Sequence, residues 1–172
     1  MTQPFPAAAT LSTPTLTNAV GLRILRRNTR PGVDPLDEIR WEKRRTVIGN
    51  PDGSVVFQMD DVEVPASWSQ LATDIVVSKY FRKAGVPGAP GHETSVRQVV
   101  RRIARTIRRD GEAQTGYFAT LEDADTFEAE LSYLLVNQIG AFNSPVWFNC
   151  GLHHEYGIAG SGGNYYFDLE TR

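Results

Sequence analysis

Cysteine is almost missing from this sequence, with one residue, Cys150, among 172. A lone thiol forms no intrachain disulfide and cannot supply a thiolate cluster, so disulfide-stapled and zinc-finger frameworks are excluded. Histidine is nearly as scarce. Of its three residues two are the neighbours His153 and His154, no HxxxH-type spacing occurs, and no metal site is expected. Long apolar runs are absent too: none approaches the ~18 residues of a membrane span, and "MTQPFPAAATLSTPTLTNAV" at the start has neither a basic n-region nor an unbroken apolar h-region. The expectation is a cytoplasmic protein with no membrane segment. Neither sign of charge dominates, since 18 basic and 20 acidic residues leave a net charge of −2, so nothing draws the whole chain to nucleic acid.

With 41% hydrophobic and 22% charged residues, the chain has the composition of an ordinary soluble domain. Residues 1–20, rich in Thr, Pro and Ala without an apolar period, read as a flexible tail. Residues 21–66 read as β-rich, from "LRILRR", "EIRWEKRRTVI", "SVVFQM" and "VEV". Between the middle two lies "GNPDG", where Pro51 presets φ and Gly53 accepts a positive φ, which predicts a hairpin.

Residues 67–140 read as helical. In "ASWSQLATDIVVSKYFRKAG", Ser67 with Gln70 matches a capping box, Leu71, Ile75 and Tyr80 or Phe81 form an apolar side, and Gly85 is the stop. The clearest helix carries Val96, Val99, Val100, Ile103 and Ile107 at helical spacing, with Arg97, Arg101, Arg105 and Arg108 on another face, and stops near Asp110-Gly111. A third helix is capped by Thr120, followed by acidic Glu122 and Asp123, and runs through Phe127, Leu131, Leu134 and Leu135 towards Gly140. The fold class these signals predict is α+β, a β-rich part followed by a helical, bundle-like part. No stop signal precedes Arg172, which suggests a chain cut there rather than finished.

The stretch with the most chemistry in it is "AFNSPVWFNCG", residues 141–151. Ser144 precedes a proline, a position biased to extended backbone, and its hydroxyl suits a phosphate or sugar contact. Read on the residues alone, Asn143-Ser144-Pro145 is favoured instead as a plain turn held by its own side-chain to backbone bonds. No GxSxG elbow surrounds Ser144, so no catalytic residue is assigned. Cys150 has no cation beside it in sequence and reads as an inert thiol. His153 and His154 read as polar loop residues. The following "GSGGN" lacks both the phosphate-loop lysine and the GxGxxG spacing. The arginine face of the second helix reads as a solvated face, with an acidic partner or nucleic acid as the alternative.

"RPGVDPLDEIRWEKR", "VEVPASWSQLATDIVVSKYFR" and above all "QIGAFNSPVWFNCGLHHEYGIAGSGGNYYFD" resemble the N-terminal region of adenosylcobalamin-dependent, class II ribonucleotide reductases, over roughly residues 30–172. The resemblance implies a chain that precedes a ten-stranded α/β barrel, with residues 141–172 forming a substrate-facing turn and a Gly-rich loop leading into it. In that family cobalamin homolysis generates a thiyl radical on one cysteine and two further cysteines supply reducing equivalents, while ribonucleotides become 2'-deoxyribonucleotides for DNA synthesis. Cys150 matches none of those three positions, and the family's "SACF"-type motif does not occur here. One position carries over: Ser144 matches the residue that the family places against the substrate nucleotide. The implied ligands and partners are adenosylcobalamin bound by the full enzyme, a ribonucleoside diphosphate substrate, a deoxynucleotide effector, the rest of the reductase chain and a homodimer mate. The alternative from another class is a stand-alone, non-catalytic α+β module that binds a nucleotide or a protein.

Overall fold

The computed structural model describes residues 21–159. The expected tail at 1–20 and the "GSGGN" run fall outside them. Two strands, β1 (Trp41–Gly49) and β2 (Val55–Pro65), form an antiparallel hairpin. The expected turn closes it: Asn50 N–H donates to Ser54 O at 2.8 Å, Gly53 N–H to Asn50 O at 3.0 Å, and Gly53 takes φ +85°. "SVVFQM" and "VEV" are one strand, not two. The register passes from Thr46↔Met59 to Arg44↔Val62, so Arg45 faces both Asp60 and Asp61, a bulge in which Asp61 adopts φ +56°. The bulge keeps Val62 and Val64 on the core side, where both are fully buried.

"LRILRR" is not a strand. Leu22 makes an isolated bridge to Phe118, and the chain beyond it is held by acidic side chains of a helix. Asp123 Oδ1 accepts from Ile24 N–H at 2.8 Å, and the Glu130 carboxylate gathers the N–H groups of Arg27, Asn28 and Thr29 within 3.0 Å. Strand propensity is overridden because those N–H groups find carboxylates rather than a sheet edge.

Helix α1 covers only Gln70–Ile75, and its cap is Ser69 rather than Ser67, with Ser69 Oγ accepting from Ala72 N–H at 3.1 Å. A π-helical turn, Val76–Tyr80, follows and closes with Phe81 N–H on Val76 O at 3.0 Å. That extra residue per turn rotates the apolar side, so Val76 and Val77 are buried while Leu71 is 69% exposed and Ile75 is exposed. The expected apolar face through Leu71 and Ile75 is therefore corrected.

Helix α2 (Val96–Ala113) buries Val96, Val99, Val100 and Ile103 as its spacing predicts. It starts at a full capping box, Ser95 with Gln98, and runs slightly beyond Asp110-Gly111. Helix α3 (Leu121–Val136) has the expected Thr120 cap, Oγ accepting from Asp123 N–H at 3.1 Å, and packs along α2. Its fully buried side is made of Ala124, Thr126, Ser132, Leu135 and Val136, with Leu131 partly buried against the core. Two short helices, α4 (Ser144–Asn149) and α5 (Leu152–Tyr156), end the described residues. One apolar cluster joins Leu36, β2, the π-turn, α2, α3, Trp68 and Trp147. Each of the three tryptophans satisfies its indole N–H on a backbone carbonyl: Trp41 on Leu36, Trp68 on Val136 and Trp147 on Phe142. The architecture is α+β.

Candidate functional site: the Asn-Ser-Pro helix and its clamp

Ser144 is the first residue of α4, not a residue in extended backbone. Asn143 takes the extended conformation instead (φ −68°, ψ 161°), and its carbonyl accepts from Val146 N–H at 3.1 Å. Pro145 sits in the first turn, where a missing N–H costs no helical bond, and this outweighs the pre-proline bias at Ser144. The Ser144 side chain is exposed, and its Oγ lies 3.2 Å from the Tyr80 hydroxyl.

Trp147 is the buried anchor of α4, stacked on Tyr80 with ring centroids 5.7 Å apart and planes at 26°. Phe148 leans on the Tyr80 ring as well, at 5.3 Å, but remains 42% exposed. Beside this face lies a groove of about 280 Å³ lined by Trp68, Ile75, Tyr80, Leu135, Phe142 and Trp147.

What holds α4 in place comes from the second helix. Arg102 and Glu93 form a fully buried ion pair, Nε to Oε1 at 2.7 Å, with both side chains 0% exposed. The same guanidinium donates to Cys150 O at 2.6 Å, Trp147 O at 2.7 Å and Tyr80 O at 3.2 Å. Glu93 in turn accepts from Arg82 N–H at 2.7 Å and from the Tyr156 hydroxyl at 2.9 Å. Burial, reinforced by the neighbouring Glu93 carboxylate, pushes the Tyr156 phenol far up, so it stays a donor. One buried cation thus ties together the π-turn, both turns of α4 and the entry to α5. Gly151 completes the joint with φ +84°, and a Cβ there would lie 2.3 Å from Arg102 O.

The sequence reading missed Arg102. On a helical wheel it falls roughly 120° from the centre of the apolar stripe, among arginines that do face outwards, and no local signal separates it from them. Those others are paired within the chain: Arg97 with Asp37, Arg101 with Asp34, Arg105 with Glu128 and Glu155, and Arg108 with Glu112, Asp125 and Glu128. A face whose guanidinium groups are already occupied by carboxylates has little free charge for phosphates.

Cys150 is half-buried. Burial pushes its thiol up, against the pull of Arg102, which makes a less ready nucleophile. His153 and His154 lie on α5 rather than in a loop and are exposed. Among the described residues no group of three or more His, Cys, Asp or Glu side chains is placed to hold a metal ion, and no helix is long and apolar enough to cross a membrane.

The sequence profile of class II vitamin B12-dependent ribonucleotide reductases matches residues 42–138, from β1 to the end of α3. The chain belongs to that family, and it corresponds to an N-terminal part of such an enzyme. It is 52% identical, over 78% of its length, to the vitamin B12-dependent ribonucleotide reductase of Streptomyces avermitilis. It is 44% identical, over 87% of its length, to the enzyme of that name from Agrobacterium fabrum, and 47% identical over 80% to that from Rhodopirellula baltica. The matches cover 14%, 14% and 13% of those relatives, so the chain spans about one-seventh of their length.

The family implies cobalamin, and the described residues do not fit it. The groove beside α4 is at the small end of what a drug-sized ligand needs, far below a corrin with its axial groups. A second groove, of about 660 Å³ between the end of α2 and the start of α3, has Glu112 and Glu122 as its ionisable lining and no histidine or cysteine.

Proposed function

We propose that this chain is the N-terminal portion of an adenosylcobalamin-dependent ribonucleoside-diphosphate reductase and that it contributes Ser144 to the site of the ribonucleotide. The observation that carries this reading is the Asn-Ser-Pro segment. Its serine hydroxyl is exposed on a short helix whose backbone is fixed by a buried ion pair, in a chain half-identical to reductases over most of its length. A hydroxyl held in this way has the donor and acceptor capacity to meet a phosphate or ribose oxygen, with little ordering left to do on binding.

The reaction replaces the 2'-hydroxyl by hydrogen and needs a radical-forming thiol and a redox pair. A chain with one cysteine cannot furnish them, and the raised thiol of Cys150 is a poor candidate for any of the three. The thiols, the ten-stranded barrel and the corrin site therefore belong to the remainder of the reductase, which residues 141–172 lead into. In the same reading residues 21–66 form the β-rich part and 67–140 the helical part. The enzyme works in the cytoplasm, obeys a deoxynucleotide effector and pairs as a homodimer, without membrane or nucleic acid as a partner. No observation favours the stand-alone binding module.

Two measurements test the proposal. The purified chain with adenosylcobalamin, a dithiol and ribonucleotides should yield no deoxynucleotide above a no-protein control. In the complete reductase, Ser144→Ala should lower kcat/KM by roughly tenfold to a hundredfold, the worth of one charge-assisted hydrogen bond of about 1.5–3 kcal/mol. Cys150→Ala should do far less. Intact turnover in Ser144→Ala together with loss of turnover in Cys150→Ala would reverse the assignment.

A further inference from the structure

We infer that Tyr80 is the positioning residue for Ser144: its hydroxyl, 3.2 Å from Ser144 Oγ, sets the direction in which the serine proton points. This rests on the reading of Ser144 as the nucleotide-facing hydroxyl.

Tyr80 is fixed at three points. Its carbonyl accepts from Arg102 Nη2 at 3.2 Å, its ring is stacked on buried Trp147, and Phe148 leans on the ring at 5.3 Å. Tyr80 is also the last residue of the π-turn, where the chain gains one residue relative to an α-helical turn. Each residue added turns the following side chain by roughly 100° about the axis. In a regular helix the ring of Tyr80 would point elsewhere and the Phe81 N–H would close on Val77 rather than Val76. π-turns of this kind recur where a helix has to aim a functional side chain, and here the aimed group meets the one hydroxyl of the Asn-Ser-Pro segment.

The chemistry then selects a direction. A serine hydroxyl has one proton and two lone pairs, and a phosphate oxygen in its ionised form only accepts. Free in solvent, Ser144 could rotate its proton anywhere. Either hydroxyl can donate across the 3.2 Å contact, but once Ser144 gives its proton to an accepting oxygen on the open face, the Tyr80 O–H is the one left to donate, and it holds the serine proton directed away from Tyr80. Tyr80 need not touch the nucleotide for this. It acts through Ser144 by removing rotor states that cannot bind, and the gain should appear in binding rather than in the chemical step.

The test is a cycle of four complete reductases: wild type, Tyr80→Phe, Ser144→Ala and the double variant, assayed with CDP and with CTP, using whichever the wild type reduces. Phenylalanine keeps the ring contacts with Trp147 and Phe148 and deletes only the hydroxyl, so the thermal midpoint should stay at the wild-type value. Tyr80→Phe should raise KM by about twofold to tenfold, the range of one neutral hydrogen bond, with kcat nearly unchanged. In the Ser144→Ala background the same change should do nothing further, because the group it positions is gone. Ser144→Thr, which keeps a hydroxyl, should restore sensitivity to Tyr80→Phe. If Ser144→Ala raises KM while Tyr80→Phe does not, the positioning role is wrong and the serine reading stands. If Tyr80→Phe acts equally in both backgrounds, Tyr80 works independently of Ser144 and the inference is overturned. If neither variant changes kcat/KM, the serine reading fails and takes this inference with it.

Discussion

Replacing Arg102 by methionine tests the clamp directly, because methionine fills similar length without charge or donors. The guanidinium makes four hydrogen bonds, one to Glu93 and three to carbonyls of Cys150, Trp147 and Tyr80, and both members of the ion pair are out of contact with water. Removing one partner leaves the Glu93 carboxylate buried with only Arg82 N–H and the Tyr156 hydroxyl. Breaking a buried pair in this one-sided way costs about 3–5 kcal/mol. Three orphaned carbonyls act in the same direction, although water entering beside α4 would offset part of their loss. For a chain of this size each kcal/mol moves the melting midpoint by about 2–4 °C, so Arg102→Met should melt roughly 6–20 °C lower. Urea unfolding followed by tryptophan fluorescence gives the free energy, and hydrogen exchange at residues 147–151 shows where it is lost. Arg101→Met is the control, since its partner Asp34 is partly solvated and the pair should be worth ~1 kcal/mol or less. Adding Glu93→Gln to Arg102→Met should recover part of the loss by neutralising the stranded charge. A cost below 1 kcal/mol for Arg102→Met, or no recovery in the double variant, would show that the buried pair does not hold α4.

Leu131→Ala should destabilise the chain by roughly 2–5 kcal/mol, towards the lower figure because Leu131 is only partly buried, and a loss under 1 kcal/mol in urea titration would break the α2–α3 packing assignment. Gly151→Ala should cost clearly more than Gly53→Ala: both residues have φ near +85°, but a Cβ at 53 meets nothing within 4 Å while one at 151 lies 2.3 Å from Arg102 O. Equal melting shifts for the two variants would refute that joint. The Glu130 carboxyl gives a pH dependence. Burial opposes its ionisation, yet the Asn28 and Arg27 N–H groups, the Asn28 amide and the Thr29 hydroxyl outweigh it and hold the group down to about 2, from an ordinary 4.5. A lowered carboxyl pKa adds stability that is complete above 4.5 and lost as the pH falls towards 2. Acid titration of the wild type against Glu130→Gln should show the two stability curves converging across that window, and parallel curves would dismiss the nest.

The sequence by itself determined what depends on a few neighbouring residues. "GNPDG" closes the hairpin because Pro51 and Gly53 satisfy the turn's dihedrals locally. Thr120 caps α3 because its hydroxyl reaches an N–H three residues on, and α2 buries Val96, Val99, Val100 and Ile103 because their spacing places them on one face. The Asn-Ser-Pro motif stood out for the same reason, as a local pattern within "AFNSPVWFNCG". Tertiary structure decided the rest. The cap at Ser69 and the π-turn after it arise because Val76, Val77 and Phe81 must all reach one core, a demand made by β2 and α2 and invisible within the segment. "LRILRR", Leu22 to Arg27, looks like a strand until Asp123 and Glu130, about a hundred residues away, take the N–H groups of Ile24, of Arg27 and of Asn28 and Thr29 just beyond it. Arg102 looks like its neighbours on α2, and only the arrival of Glu93 from one side and residues 147–151 from the other takes water away from it. A charge survives without water only where its donors find acceptors, and for Arg102 those acceptors come from three separate stretches of chain, at Tyr80, Glu93 and Trp147–Cys150, which no local pattern records.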